Sequence, residues 1–431
     1  MKYSQFNNFF NYEDKKIGYN AFSNEFTLLD PELFELLDAA IRESNFEELN
    51  KLHPDFFTHL VEKGFLVDTE IDEIQNVKDL VRKIDSENEV SYKLIINPTM
   101  NCNFKCWYCY ETHIKASKMS ENTIISITKF VDNLLIEKEN LEYFNLSWFG
   151  GEPLLYFDKT VLPLLQNIYP KMIDRKINFT SEFTTNGLLI NQKMLNLCKE
   201  FGVNDFQITL DGHRERHNQV RYISKEKGSY DEIVSNIILC LKNKLSVRVR
   251  LNVSEETIET LPKIIDDFIN ITKTEKKYLS FSFHEVWQEK KDIHSDIQFI
   301  VDLFREREFN TLYKGVNQDT VRSSCYADKR NHATLNYNGD VFKCTARDLE
   351  SKSKEGYLNE EGIIEWNEKF EDRMDSKFKN PPCLKCSILP ICNGGCSQQA
   401  IEHKGIEYCV YNFDENRKLD IIKDKFSYAI S

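Results

Sequence analysis

Residues 92–109 read YKLIINPTMNCNFKCWYC, an apolar run followed by Cys102, Cys106 and Cys109 inside one eight-residue window. The run at 92–99 is a strand candidate, and the three thiols sit on the loop that leaves it. Further along, strand candidates occur at 143–150, 177–187, 205–212, 246–253 and 279–287. Helical stretches of 12 or more residues lie between most of them, for example 120–139. Six β–α repeats of about 30–40 residues imply a parallel sheet, open or curled into a partial barrel. In such folds the site lies at the C-terminal strand ends. Cys102, Gly150-Gly151-Glu152-Pro153, Thr185-Asn186-Gly187, Asp211-Gly212, His284 and Glu285 all fall there.

The chain has 431 residues and a formal net charge of −13, which argues against a non-specific binder of nucleic acid or anionic membrane. A peptide of neutral or basic character is an easier partner. Apolar residues make up 41% and aromatics 12%, too many for a disordered chain. No run approaches the roughly 18 apolar residues needed to span a bilayer, and the N-terminus shows no secretory h-region. A cytoplasmic protein is expected.

The flanks read differently from the repeats. Residues 1–85 form one expected unit. It has a hairpin at 19–30 turning at Ser23-Asn24, a helix opened by Asp30-Pro31, and a second helix over 54–64. The acidic stretch 68–90 is expected to be a helical linker with few core contacts. Residues 90–310 hold the repeats. Residues 320–431 are loop-rich and contain seven of the 12 cysteines: Cys325, Cys344, Cys383, Cys386, Cys392, Cys396 and Cys409. Cys198 and Cys240 lie on helical apolar faces and are expected to be inert core residues.

Clustered thiols in a reducing compartment read as metal ligands. Cys102-x3-Cys106-x2-Cys109 fits two chemistries. With His113 it makes a Cys3His zinc site. Without it, three thiolates hold a [4Fe–4S] cluster with one iron left free to coordinate a small molecule.

The Cys-x3-Cys-x2-Cys loop after a first strand, in a chain of β–α repeats, resembles the radical S-adenosylmethionine superfamily over about 90–310. The resemblance implies a partial (β/α)6 TIM-like barrel. It also implies a SAM-cleaving cluster on Cys102, Cys106 and Cys109. Gly150, Gly151, Glu152 and Pro153 match that family's GGEP turn, which contacts the methionine amino group, and Glu152 suits an ammonium. Asn186, in Thr185-Asn186-Gly187, matches the ribose-contacting strand end. Residues 208–212 (ITLDG), with His217 and Arg221, are similar to the SLDG-x-HD-x-x-R stretch of the peptide-acting branch. Thr209 replaces its Ser and Asn218 its Asp. Thr209 and Arg221 are thereby implied SAM contacts.

The late cysteines resemble a complete SPASM pattern. Thirteen residues separate Cys325 from Gly339 and four separate Gly339 from Cys344, and Cys-x2-Cys-x5-Cys-x3-Cys and Cys409 follow. By resemblance Cys383, Cys386, Cys392 and Cys409 hold one auxiliary [4Fe–4S] cluster, and Cys325, Cys344 and Cys396 another. The stretch before Cys325 lacks an eighth Cys, so that cluster has an open iron or a non-Cys ligand such as Asp319. The cofactors implied are three [4Fe–4S] clusters and S-adenosylmethionine. The implied chemistry is hydrogen abstraction by a 5′-deoxyadenosyl radical, with Asp211, His213, His284 or Glu285 as possible proton acceptors.

Residues 1–85 resemble a winged-helix-like peptide-recognition unit, which pairs a leader peptide by strand addition. The resemblance therefore points to a maturase that installs a thioether, carbon–carbon or ether crosslink in a ribosomal precursor peptide. A flavodoxin or ferredoxin is the expected reducing partner. One alternative is sulfatase-maturase-like oxidation of Cys or Ser to formylglycine, although Thr345 follows Cys344 where that branch carries Asp. A zinc-structured binding protein is the alternative of another class.

Overall fold

Eight parallel strands organise the larger part of the chain. They are Ser91–Ile96 (β1), Tyr143–Trp148 (β2), Asn178–Thr185 (β3), Val203–Leu210 (β4), Ser246–Val253 (β5), Leu279–Glu285 (β6), Asn310–Leu312 (β7) and His332–Leu335 (β8). The computed structural model describes residues 1–87, 89–224, 227–286, 293–313 and 324–430. Asp319 and Trp287 lie outside the described residues. β1 to β7 pair in chain order, and β8 returns to the free edge of β1. Asp340–Phe342 (β9), Gly356–Leu358 (β10) and Ile364–Trp366 (β11) extend that edge antiparallel. The result is the α/β fold anticipated from the repeats.

Side-chain alternation divides the sheet into two faces. The helix-covered face is aromatic. Trp148, Phe183 and Phe206 sit in register on β2, β3 and β4, with ring centroids 5.8 and 5.6 Å apart. Tyr92, Phe144 and Phe179 form a second row at 6.2 and 6.3 Å. Helices such as Glu121–Glu137 and Tyr230–Lys242 cover this face, the first capped by Ser120 accepting from the Thr123 N–H. Cys198 and Cys240 are fully buried here. The opposite face is polar: Lys93, Asn97, Ser147, Glu182, Thr209, Asp211, Arg250, Asn252, Ser282 and His284 share it. Direct bonds tie several of them across strands, including Ser147 Oγ to Glu182 at 2.6 Å.

By contacts the chain divides into two units. One is Glu89–Gly315 with Asn331–Phe370; the other joins Met1–Asn88, Val316–Arg330 and Glu371–Ser431. In the second unit Lys15–Asn20 and Glu25–Leu29 form the expected hairpin. Asn7–Tyr12 adds a third strand, and a short helix, Phe46–Leu52, precedes the helix Pro54–Glu62. The acidic stretch does become a helix, Glu73–Glu87, but it is no bare linker. Val77 and Val81 are buried with Phe6, Ile388, Leu389 and Ile422, and Ile74 packs against the same cluster, so the helix is seated in a core. A terminal helix, Glu415–Ile430, supplies Ile422. Among the described residues no helix is long and apolar enough to cross a membrane.

Candidate active site

The loop from Asn97 to Met119, which carries the first three cysteines, is closed at its base. The Met119 N–H donates to Pro98 O at 3.1 Å, and the Ile114 N–H donates to Met100 O at 3.1 Å. Between Cys102 and Cys106, Phe104 is buried in the main core and anchors the loop, while Trp107 and Tyr110 stay exposed. All three thiols have pKa values pushed up by burial, Cys102 to about 12. A reactive nucleophilic thiolate needs the opposite environment, so this setting suits ligands deprotonated by a metal. His113 Nε2 lies 3.6 Å from Cys109 Sγ.

Gly150–Pro153 runs beside this loop. The Gly151 N–H donates to Thr99 O at 3.1 Å and the Glu152 N–H to Asn101 O at 2.8 Å. A Cβ on Gly151 would fall 2.2 Å from Asn101 O, so only glycine permits this approach. Glu152 departs from the sequence expectation. Its carboxylate is 0% exposed and turned into the protein, where it accepts from the Leu154 N–H (3.0 Å), Thr185 Oγ1 (2.7 Å) and the Asn186 N–H (2.8 Å). Three of its acceptor positions are filled by this chain. It fastens the turn to the end of β3 rather than offering a free anion to an ammonium.

Asn186 closes the triangle, its side-chain amide donating to Asn103 Oδ1 at 2.7 Å. The Cys loop, the Gly-Gly turn and the β3 end are thus one hydrogen-bonded body. Asn97, at the end of β1 beneath Gly150, is fully buried, and neither polar atom of its side chain has a hydrogen-bond partner. An orphaned amide beside this loop is a polar group left over for a ligand to satisfy.

A second network ties the Cys loop to β4 and β5. Tyr108 OH and Arg221 Nε both donate to Asp211 Oδ2 at 2.6 Å, and Asn252 Nδ2 donates to Asp211 Oδ1 at 2.9 Å. Burial pushes the Asp211 carboxyl upward, but the Arg221 charge and the Tyr108 hydroxyl outweigh it and hold the pKa below the usual range. His217 sits behind. Its Nδ1 accepts from the Asp211 N–H at 3.3 Å, leaving Nε2–H for Ser229 Oγ at 3.0 Å. Burial and the Arg221 charge press its pKa down to about 3, so the ring is neutral. Thr209 lies on the same polar face, buried and in register with Arg250.

Sequence reading did not find Asp211, Tyr108 or Asn103 as partners of the loop. The Tyr inside CWYC was the available clue. It also missed Glu111, whose pKa burial and Asp348 raise to about 7.

Of the late cysteines, Cys383, Cys386, Cys392 and Cys409 line a single pocket of about 410 Å3, counted to its open mouth, with Tyr411 and Lys418. Asn380 Nδ2 donates to Cys383 Sγ at 3.1 Å. Cys396, Cys325 and Cys344 are not among the lining residues. Cys325 and Cys396 belong to one contact unit and Cys344 to the other. Among the described residues no three His, Cys, Asp or Glu side chains gather as on one ion. A [4Fe–4S] cubane spreads its thiolates over separate irons, and a pocket lined by four sulfurs fits that demand.

Residues 96–268 match the sequence profile of the radical SAM superfamily. The chain is 26% identical over 341 residues to the cysteine-type anaerobic sulfatase-maturating enzyme of Clostridium novyi, covering 71% of this chain and 88% of that one. It is 22% identical over 391 residues to the radical SAM cyclopropyl synthase TigE of Paramaledivibacter caminithermalis, covering 83% and 78%. In fold it is similar to Streptococcus suis SuiB, crystallised with its precursor peptide SuiA, at a TM-score of 0.54 and 17% identity over 96% of this chain and 100% of that one. Residues 96–268, with the Cys102–Cys109 loop and the Gly150–Pro153 turn inside them, form a radical SAM superfamily domain, which marks the chain as an enzyme.

Proposed function

We propose that the chain is a peptide maturase that abstracts a substrate hydrogen and installs an oxidative crosslink in a ribosomally made precursor peptide. The observation that carries this reading is the single body made by the Cys loop, the Gly-Gly turn and the β3 end, joined through Glu152 and Asn186. The peptide substrate is supported by the likeness to TigE and to SuiB with its precursor peptide.

When bound, the cluster and S-adenosylmethionine supply one-electron cleavage to a 5′-deoxyadenosyl radical. Cys102, Cys106 and Cys109 would hold that cluster. The backbone of Gly150–Pro153, with Asn186, Thr209 and Arg221, would hold the nucleotide. Glu152 acts on it through the turn it fixes. Cys383, Cys386, Cys392 and Cys409 would hold one auxiliary cluster, and Cys325, Cys344 and Cys396 a second. The leader peptide would pair with the strands of residues 1–85, and a cytoplasmic flavodoxin or ferredoxin would donate electrons.

The similarity to the sulfatase-maturating enzyme favours a second reading, formylglycine formation, against which stands Thr345 after Cys344. Incubation of the reconstituted enzyme with short precursor-type peptides, followed by mass spectrometry, separates the two. A loss of two hydrogens in a product whose fragments stay joined between two residues and which forms no hydrazone with a carbonyl reagent supports the crosslink. Cys- or Ser-to-formylglycine conversion in a leaderless peptide supports the alternative.

A further inference from the structure

Among the described residues, most cations around the polar face of the sheet lie against a carboxylate. Lys93 Nζ pairs with Glu182 at 3.3 Å, and Arg221 pairs with Asp211 at 2.6 Å. Arg248 is exposed to solvent and lies in the field of Glu182 and Asp205. Arg250 is different. It is half-buried in mid-β5, and the hydrogen bond it makes is from Nε to the neutral Asn252 Oδ1 at 3.0 Å. No carboxylate among the described residues pairs with it. Its cross-strand neighbours are Thr209 on β4 and Ser282 on β6, and Ser282 is itself bonded to His284 at 2.7 Å. Tyr108, Tyr110 and Asp211 also lie in the electrostatic surroundings of Arg250, but the Asp211 carboxylate is already bonded to Arg221, Tyr108 and Asn252. A desolvated cation with no carboxylate of its own is unfavourable, and the guanidinium fork matches a carboxylate in two parallel bonds.

We propose that Arg250 is a docking residue for the carboxylate of a ligand held against this face. Two ligands of the proposed reaction carry that group. One is the peptide, through an acidic side chain close to the residue that loses its hydrogen. The other is S-adenosylmethionine, through its methionine half. The inference takes these ligands from the maturase reading. Its test measures binding rather than turnover, so each can fail while the other stands.

Dye-labelled decapeptide pools, randomised except for a central Glu or a central Gln, are titrated into anaerobically reconstituted, SAM-loaded enzyme and followed by anisotropy. Affinity for S-adenosylmethionine is measured in parallel by equilibrium dialysis. For the peptide source, the wild type binds the Glu pool about tenfold or more tighter than the Gln pool. Arg250→Gln erases that difference, Arg250→Lys keeps part of it, and SAM affinity is unchanged. For the nucleotide source, Arg250→Gln loses about tenfold or more in SAM affinity and Arg250→Lys less. Either result supports the dock and assigns its ligand. A wild type blind to Glu against Gln, with SAM affinity the same in all three proteins, overturns it. The comparison of pools in the wild type needs no variant to fold.

Discussion

Glu152 and Asn186 are joined directly, the Asn186 N–H donating to the Glu152 carboxylate at 2.8 Å, and Thr185, one residue earlier, donates to the same carboxylate at 2.7 Å. Because the group is fully buried, its neutral amide analogue places an N–H where an acceptor is required. Glu152→Gln should cost about 1–3 kcal/mol of stability. It should also weaken S-adenosylmethionine binding, by loosening the turn rather than by deleting a ligand contact. Chemical denaturation and equilibrium dialysis measure the two effects. Weaker nucleotide binding at unchanged stability would mean that the carboxylate meets the ligand after all.

The Asp211 network makes a graded prediction. Arg221 and Asp211 are 8% and 2% exposed, so removing the cation strands a buried carboxylate. Arg221→Met should cost about 3–5 kcal/mol. Tyr108→Phe, which leaves the ion pair in place, should cost about 1–2 kcal/mol. Equal losses from denaturant titrations would contradict the assignment of Arg221 as the dominant partner.

These contacts mark the limit of what the sequence discloses. The strands at 92–99 and 246–253 were legible because each is a dense apolar or alternating run with helices on either side. β8 to β11 were not, since strands of three or four residues carry no period and exist only because β1 leaves an edge to pair with. The helix Glu73–Glu87 was legible as a helix, yet its core contacts come from Ile74, Val77 and Val81, set among the charged residues that gave the stretch its linker-like reading. At the site, the Gly-Gly turn was visible, but the inward direction of Glu152 depends on Thr185 and Asn186, more than thirty residues away. Asn103 and Tyr108 were hidden for the same reason.

His284 offers a pH test. Burial, and then the charges of Arg250 and Arg248, lower its pKa to about 4, so the folded chain keeps the ring neutral. An unfolded His binds its proton near 6.5. Below that pH the unfolded state therefore takes up more protons, and the contribution to stability falls as the pH drops from about 6.5 towards 4. NMR of the imidazole in the C102A/C106A/C109A chain should show no titration between about pH 6 and 8. Arg250→Gln should move the midpoint upward by removing one cation. A midpoint near 6.5 in both proteins would contradict this placement of Arg250.

The four-sulfur pocket makes a redox prediction. The Asn380 N–H to Cys383 Sγ bond and the Lys418 cation lining the pocket would both favour the more negatively charged, reduced state of a cluster held there, and so would raise its potential. Asn380→Leu and Lys418→Met should each lower the midpoint of one auxiliary cluster in an EPR-monitored titration and leave the others in place. Unchanged midpoints would argue that this pocket holds no cluster.

The most direct measurement is anaerobic. The reconstituted chain should carry about twelve iron and about twelve acid-labile sulfide atoms. With dithionite it should convert S-adenosylmethionine to 5′-deoxyadenosine and methionine. Replacing Cys102, Cys106 and Cys109 together by Ala should abolish that cleavage and remove about one third of the iron. A chain that binds zinc without sulfide, or a fully loaded and reduced chain that leaves S-adenosylmethionine intact, would contradict the account.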